Sequence, residues 1–482
     1  MMRSSVSRLG RAMLFVGAAS LVAGPALADD LREALILAYQ TNPTLQAARA
    51  GQRGVDEGVP IARSAGLPSL SGTATYTEFP INTGLNSSAN GPDRNLSVGP
   101  TLSVPLFSGG AVKNSVRAAE TRDLAGRADL RAVESSVFSQ TVAAYMDVIL
   151  AQEVVKLNQA NVKQLTVNLQ ATKDRFEIGD LTRTDVAQSD SRLALARGQL
   201  RSAEANLIAT RERYIQVVGK PPVDLQAPPP LAGLPTSPEQ AVDIALDSNP
   251  DLLAARERSK AAGFDVKVAG ARRLPTVGVF VGGTYSDNLG TLGGSPVQSG
   301  TSGRVGVQAT IPIFQGGLPA AQRRLAQTRE DQAFETEVGT ERAVIASVRS
   351  AYAQWQAAQS LITSSQTAVD AATLSLEGVR AENTVGNRTI LDILNAEQEL
   401  LNAQVQLATA KRNAYVAGFN LLAAMGKAEA RDLGLDGGTL YDPVVNYDRV
   451  RGKIWDWSND PEPRVDSTRT VDTPAQTGSV TP

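Results

Sequence analysis

Polar and apolar positions repeat with two different periods along this chain. Between Leu31 and Ala65 the apolar residues are spaced as on one face of a helix, and this pattern ends before Leu67-Pro68. The residue before a proline avoids the helical region, so a helix is expected to stop there. From Asn95 to Val104 apolar and polar residues alternate, which is the pattern of a strand with one apolar and one polar face. The first part of the chain therefore predicts a helix followed by strands.

The alternating segments form two pairs. Asn95–Val104 has a less regular partner at Ser69–Phe79, and Arg304–Ile311, which alternates in the same way, has one at Thr276–Tyr285. Each strand is expected to hold about ten residues, which is the length that a tilted strand needs to cross a bilayer. A water-filled lumen explains the small polar residues on one face, whereas the other interpretation, a sheet covering a soluble core, does not. The segments between the members of each pair, 80–93 and 286–303, are predicted to be exposed loops.

A long helical pattern follows each strand pair. It runs from Ala111 towards Phe176 and from Ala320 towards Glu382 without a proline. Each run of about sixty residues predicts a helix about 90 Å long. Apolar and small side chains recur at steps of four and three along the first run, which is typical of a coiled coil. Each long helix is expected to end at a glycine turn, at Gly179 or Gly386, from which a second helix runs back.

These two strand-and-helix units are copies separated by a constant offset of 207 residues. Asn42-Pro43 recurs as Asn249-Pro250, and a Pro-x-Phe-x-Gly-Gly motif follows both strand pairs. The glycines of this motif let the backbone turn sharply, so a hinge between strands and helices is predicted at Pro105, Gly109, Gly110, Pro312, Gly316 and Gly317. The expected organisation is a signal peptide (1–28), a first repeat (29–220), a proline-rich linker (221–237), a second repeat (238–427), a C-terminal segment (428–448) and a disordered tail (449–482).

The amino-acid composition excludes most kinds of catalytic site. The chain contains no His and no Cys, so a His base, a Cys nucleophile and a Cys/His zinc site are all excluded. No set of nucleophile and base, cluster of metal ligands or phosphate-binding loop is found, so neither an enzyme nor a cofactor is predicted. The 47 basic and 49 acidic residues give a net charge of −2, which does not favour nucleic acid as a partner.

The beginning of the chain has the pattern of a secretory signal. Three arginines precede an apolar run over residues 12–23, and Ala26-Leu27-Ala28 supplies a small-x-small cleavage site. An amino-terminal anchor helix is the other interpretation, but the apolar run is too short to span a bilayer. We therefore expect an exported protein.

Four amphipathic strands cannot close a barrel, because the smallest membrane barrels need about eight. Two chains supply eight strands and three supply twelve, and an eight-stranded barrel is filled by its own side chains. An open pore thus favours at least three chains. An exported coiled-coil filament or a periplasmic adaptor also accounts for the long helices, but leaves the strand pairs unexplained.

The residues resemble a known family, the TolC-type outer-membrane channels of bacterial efflux pumps and type I secretion systems. The resemblance rests on the duplicated Asn-Pro opening, the Pro-x-Phe-x-Gly-Gly motif and the segment Val385–Ala396, and it extends to about Tyr447. It implies an α+β membrane protein: a homotrimer with a twelve-stranded barrel in outer-membrane lipid that continues into a periplasmic coiled-coil tunnel. It also implies two partners, a periplasmic adaptor and an inner-membrane ABC or proton-driven transporter. Whether the cargo is a protein or a toxic compound stays open.

The resemblance also implies which residues hold the tunnel closed at its periplasmic tip. Thr184 and Asp185 match positions that bond across helices, and Arg388 matches the basic partner of that aspartate. Asn383 falls where some members of the family have a tyrosine that pairs with the threonine. At this position the chain departs from those members.

Two further positions correspond to the family's tunnel entrance. Asp392 matches an acidic residue whose threefold ring lines the opening, and Asn395 replaces a second acidic residue one turn later. The resemblance thus implies a single ring of carboxylates. The other interpretation is that Asp185 and Asp392 are solvated charges on a helix face.

Overall fold

The computed structural model describes residues 30–78, 80, 94–289, 299–435 and 440–480. The predicted signal peptide and parts of both strand-connecting loops lie outside the described residues. The helices are α1 Leu31–Thr41, α2 Pro43–Asp56, α3 Gly58–Ser64, α4 Ala111–Glu177, α5 Arg183–Val218, α6 Pro238–Ser248, α7 Pro250–Ala271, α8 Leu318–Thr384, α9 Ile390–Ala424 and α10 Pro443–Val450. The strands are β1 Ser69–Glu78, β2 Arg94–Phe107, β3 Thr276–Asp287 and β4 Ser299–Thr310.

Each repeat opens with a helix that is broken at an Asn-Pro pair, where the sequence pattern predicts continuous helix. Asn42 ends α1 and caps α2, because its side chain accepts a hydrogen bond from the backbone N–H of Thr44 at 2.9 Å. Pro43 then occupies the first turn of α2, where its missing N–H is not needed. Asn249 does the same between α6 and α7. The structural elements thus recur with the offset found in the sequence.

The four strands form one antiparallel sheet in the order β1-β2-β3-β4. The pairing of Ser69 with Ser103 at the start of β1 is repeated by Thr276 with Thr310 at the start of β3. The predicted second loop was too long, because β3 ends at Asp287 and β4 begins at Ser299. Within the single chain, β1 and β4 are the edges of the sheet.

Two helical hairpins make up most of the molecule. The helices α4 and α8 each contain 67 residues, about 100 Å at 1.5 Å per residue, and α5 and α9 run back along them. The turns hold Gly179 and Gly386, both with φ of +83°, a conformation that a side chain disfavours. The predicted seam on α4 is confirmed, since side chains such as Val137, Thr141 and Val148 are buried.

The two repeats share one apolar core, which lies at the middle of α4 and α8 and at the C-terminal ends of α5 and α9. Tyr145 on α4 and Tyr352 on α8, which are equivalent in the two repeats, extend from it to the proline-rich linker. Their hydroxyl groups donate to the carbonyls of Gln226 and Thr236, at 2.7 and 3.0 Å. The linker is therefore held against the same level of both hairpins.

The tail differs from the disorder expected for residues 449–482, since the structure places residues 449–480 on the surface of the helices. The proline content prevents regular structure after α10, but polar contacts fix the chain. The guanidinium of Arg449 donates to Asp460 at 2.6 Å, and the backbone N–H of Gln476 donates to Glu212 on α5 at 3.1 Å. The contact between Gln476 and Glu212, which are 264 residues apart, is not apparent from the composition of the tail.

A buried pair of carboxyl groups joins α2, α4 and α10. The side chain of Gln52 donates to both Asp56 and Asp123, at 2.8 and 2.7 Å, and Asn446 donates to Asp56 at 2.5 Å. Burial, reinforced by a hydrogen bond with Asp56, raises the pKa of Asp123 to about 7, although the guanidinium of Arg127 opposes this shift.

This carboxyl pair predicts a loss of stability as the pH rises. The pKa of Asp123 lies near 3.8 in the unfolded chain and at about 7 in the folded one. The folded state binds more protons between these values, so the free energy of unfolding should fall as the pH rises through this range. In Asp123→Asn the thermal midpoint, followed by circular dichroism, should depend less on pH.

Asp129→Asn is the matched control, because Asp129 lies on the same helix and is partly exposed beside Arg258. It should keep the slope of the unmodified protein. A slope in Asp123→Asn equal to that of the control would show that the carboxyl pair does not carry the pH dependence.

Candidate functional site: the helical tips

The two returning helices begin with the same capping geometry. The backbone N–H of Thr182 donates to Asp185 at 2.9 Å, and the N–H of Asp185 donates to the Thr182 hydroxyl at 3.3 Å. The corresponding distances between Thr389 and Asp392 are 2.9 and 3.4 Å. These reciprocal bonds form a capping box, which satisfies N–H groups that a helix start leaves unpaired. Both predicted tip aspartates are therefore held in one orientation.

The same bonds keep these carboxyl groups charged. Hydrogen bonds from the Thr182 side chain and backbone lower the pKa of Asp185, and those from the Thr389 backbone and side chain lower the pKa of Asp392. Both groups lie at the surface, so they are carboxylates at neutral pH. Sequence reasoning found the aspartates but missed Thr182 and Thr389, although a threonine three residues before an acidic residue is a known signal of a helix start.

The predicted gate residues are only partly brought together within one chain. The guanidinium of Arg388 pairs with Glu382 at 2.7 Å. The backbone carbonyl of Arg388 accepts a hydrogen bond from the side chain of Asn383, also at 2.7 Å. Thr184 is exposed on the first turn of α5. Among the described residues, Asp185 and Arg388 of the same chain form no ion pair with each other.

A buried carboxylate joins the two hairpins near their tips. Glu397 on α9 accepts two hydrogen bonds from the amide of Asn168 on α4, both at 2.8 Å, and pairs with Arg380 on α8 at 2.8 Å. Only 5% of the Glu397 side chain is exposed, against 43% for Arg380. Sequence reasoning missed this cluster. The available signal was an acidic residue at helical spacing from the apolar residues Ile393 and Leu394.

Two further contacts reinforce this junction. Asn395, the second predicted entrance residue, accepts a hydrogen bond from Arg192 on α5 at 2.7 Å. Leu394 is buried in an apolar cluster that belongs mainly to the first hairpin, with Leu165, Leu169, Leu193 and Ala196. The tip is thus one packed unit of four helices within the chain.

The predicted hinge residues lie where the sheet passes into the long helices. Gly109 and Gly110 have φ of +61° and +81°, and Gly316 and Gly317 have +58° and +82°, values that glycine adopts without strain. A side chain at Gly109 would approach Leu274 Cβ to 2.8 Å. Pro105 lies at an irregularity of the β2–β3 pairing, and Pro312 follows β4.

None of the described helices combines the length and the apolar character needed to cross a membrane. In the described part of the chain, no group of three or more acidic side chains is placed to hold a metal ion.

Comparison with known proteins identifies the family. The family model described as "Outer membrane efflux protein" matches residues 35–220 and 241–427. The chain is 36% identical to the outer membrane efflux protein BepC of Brucella suis over 91% of this chain and 95% of that protein. It is 28% identical to the outer membrane protein TolC of Escherichia coli, over 86% of each chain. The crystal structure of the Campylobacter jejuni CmeC outer membrane channel has the same fold, with a TM-score of 0.72, 20% identity and coverage of 88% of this chain and 89% of that one.

Proposed function

The chain belongs to the outer membrane efflux protein family, and from this premise we propose that three copies form one passive exit duct whose periplasmic tip is opened by an adaptor and an inner-membrane pump. The protein is an outer-membrane transport channel that extends into the periplasm, and it is not an enzyme. The number of copies and the pump partners are the parts that we propose. The alternative of an exported filament or free adaptor leaves the four-stranded sheet without a role.

The proposal rests on surfaces that a single chain leaves uncovered, both at the edges of the sheet and on the long helices. In the sheet, β1 and β4 each present one edge that no other strand in the described part of the chain pairs with. Unpaired backbone groups are costly in lipid, so strands that cross a membrane must close into a barrel. Closure requires β4 of one copy to pair with β1 of the next, and three copies leave an open lumen where two do not.

The long helices show the same incompleteness. In α8 the buried residues are Val344, Val348, Ala358 and Leu376, out of 67 residues. Its equivalent in the first repeat, α4, is covered by α5, α7 and α9, and 22 of its residues are buried. Several large apolar side chains of α8 are exposed: Leu325, Phe334, Val338, Leu361 and Leu374. A neighbouring copy packed against this face supplies the missing cover.

Deletion of the gene tests which cargo the duct transports. Loss of secreted proteins from the medium supports a role in type I secretion, and increased sensitivity to toxic compounds supports efflux. Restoration by the unmodified gene is the control. If neither phenotype appears, the proposed duct does not serve these two systems.

At the tip we propose that three Asp392 carboxylates line the entrance. Their capping contacts support this, because Asp392 is fixed on the first turn of α9 and its lowered pKa keeps it charged. A ring of like charges attracts cations and excludes anions. Asp392→Ala should therefore reduce the cation selectivity of single channels in planar bilayers.

Asp180→Ala is the matched control for this prediction. Asp180 is an exposed aspartate at the same tip, where it pairs with Arg175 at 2.7 Å, and it belongs neither to the proposed ring nor to the proposed gate. We expect the reversal potential to move towards zero in Asp392→Ala and to stay near that of the unmodified channel in Asp180→Ala. Equal shifts in both variants would contradict a ring at Asp392.

The gate that the family resemblance implies is proposed as a contact between neighbouring copies. Within one chain, Asp185 caps α5 and Arg388 pairs with Glu382, and both side chains lie at the surface of the tip. When the tips converge, Asp185 of one copy and Arg388 of the next come within reach. Thr184, beside Asp185, and Asn383, bonded to the Arg388 carbonyl, then adjoin this contact. The glycine hinges are proposed to set the angle between barrel and tunnel.

A further inference from the structure

The C-terminal segment runs along the N-terminal helices towards the sheet. Its first contacts lie beside α1, its next beside the end of α2 and its last beside the end of α3. The contacts, in this order, are Tyr441 N–H to the Tyr39 hydroxyl at 2.8 Å, Asn446 to Asp56 at 2.5 Å, and Arg63 to the Arg451 carbonyl at 3.2 Å. Since β1 follows α3, this direction leads towards the end of the sheet from which the helices emerge.

The segment then turns back. The N–H of Lys453 donates to the carbonyl of Val450 at 2.9 Å, which closes a turn directly after α10. The N–H of Ser458 donates to the carbonyl of Trp455 at 3.1 Å, which closes a turn. Asp460 then accepts from Arg449 at 2.6 Å and from Lys453 at 3.1 Å, so the returning chain is tied to the advancing one. Residues 454–457, the C-terminal aromatic tip, lie in the loop between these contacts, just after the residue that bonds to the end of α3.

The C-terminal aromatic tip exposes large apolar side chains at a fixed position. The exposed fractions of Ile454, Trp455 and Trp457 are 71%, 72% and 82%. A single exposed apolar residue is ordinary, but a cluster of three held in place by ion pairs indicates a surface that meets an apolar partner. At the same end of the sheet, Phe107 and Phe314 are also exposed, and they belong to the surface that the proposed barrel presents.

We propose that the C-terminal aromatic tip is an anchor in the lipid headgroup region of the periplasmic leaflet of the outer membrane. The inference rests on the proposed function, in which the sheet crosses that membrane. Tryptophan favours this interface, because its ring is apolar while its N–H finds polar partners at headgroup level.

Tryptophan fluorescence tests this position directly, because the chain contains only three tryptophans. The variant Trp355→Phe leaves Trp455 and Trp457 as the only reporters. It is reconstituted into vesicles of phosphatidylcholine that carries bromine either high or low on the acyl chains. We expect bromine near the headgroup to quench about half of the emission and bromine near the chain ends to quench less, as for an interfacial ring.

The double variant Trp455→Phe with Trp457→Phe is the control, since it reports on Trp355 alone. Trp355 lies 37 residues along α8 from Leu318, about 55 Å from the sheet, and packs against Tyr352. Brominated lipid should leave its emission unchanged. The same vesicles are checked for channel conductance, so that failure of the anchor and failure of the duct are seen separately.

If the channel conducts, two results would overturn the proposed anchor. Quenching of Trp455 and Trp457 by acrylamide but not by brominated lipid would place the C-terminal aromatic tip in water. Protection from both quenchers would place it against a neighbouring copy. If the protein does not insert or conduct at all, the proposed function itself fails.

Discussion

Replacing Arg380 with methionine should open the periplasmic tip. The change leaves the buried carboxylate of Glu397 without its cation, although the two hydrogen bonds from Asn168 remain. Removing one partner of a buried ion pair costs about 3 to 5 kcal/mol, and the partial exposure of Arg380 reduces this to about 2 kcal/mol here. An equilibrium constant changes tenfold for each ~1.4 kcal/mol. The equilibrium between the closed and the open tip should therefore shift more than tenfold towards the open state. Single-channel conductance and leakage of large antibiotics are the measurements.

Arg388→Ser is the comparison variant, because it removes an arginine from an exposed pair at the same tip. Arg388 and Glu382 are both about half exposed, and such surface pairs contribute little to stability because solvent screens their charges. We expect a smaller rise in conductance than for Arg380→Met. The double variant Arg380→Met with Glu397→Leu should restore the closed state in part, since it removes the unpaired charge as well. A larger effect of Arg388→Ser would mean that contacts between copies, rather than the buried pair within each copy, hold the tip closed.

Gly99→Ala should prevent assembly in the outer membrane. A Cβ atom at Gly99 on β2 would lie 2.0 Å from the carbonyl oxygen of Gly283 on β3. This oxygen belongs to the backbone, so the two strands must separate at the middle of the sheet. Overpacking of a tight site costs about 1 to 3 kcal/mol, and separation of paired strands in lipid adds unsatisfied backbone groups. The heat-resistant oligomer in outer-membrane fractions should fall about tenfold or more.

Gly283→Ala is the matched control on the facing strand. Its Cβ atom would meet only the carbonyl oxygen of Ser302, at 4.0 Å, which is an ordinary contact. The same substitution one strand away should therefore leave the oligomer near its normal level. Equal losses in both variants would show that the sheet requires glycine for another reason than the close approach of β2 and β3.

Much of the fold follows from local patterns in the sequence. The long helices were predicted within a few residues of their observed ends, because a run without proline and with a regular seam has one stable local structure. The glycine turns were predicted for the same kind of reason, since Gly179 and Gly386 each interrupt a helical pattern. The break at Asn42-Pro43 was missed, because the apolar spacing continues across a residue that ends one helix and caps the next.

The tip was less predictable, because its main contacts join residues far apart in the sequence. Asp392 was found through the resemblance to a family, and its capping partner Thr389 was available from a local motif. The cluster of Asn168, Arg380 and Glu397 spans 229 residues, and no periodicity within one helix reveals it. The contact of the tail with α5 could not be predicted for the same reason, since Gln476 bonds to Glu212, which precedes it by 264 residues.

Counting the chains in one oligomer decides whether three copies build the duct. The unmodified protein is coexpressed with a variant that carries a large C-terminal tag, and the heat-resistant oligomers from outer membranes are separated by size. Three copies drawn from two forms combine in four ways, so a three-chain duct gives four species, including two of mixed composition. Two species would indicate a monomer and three a dimer, and either result would contradict a duct of three chains.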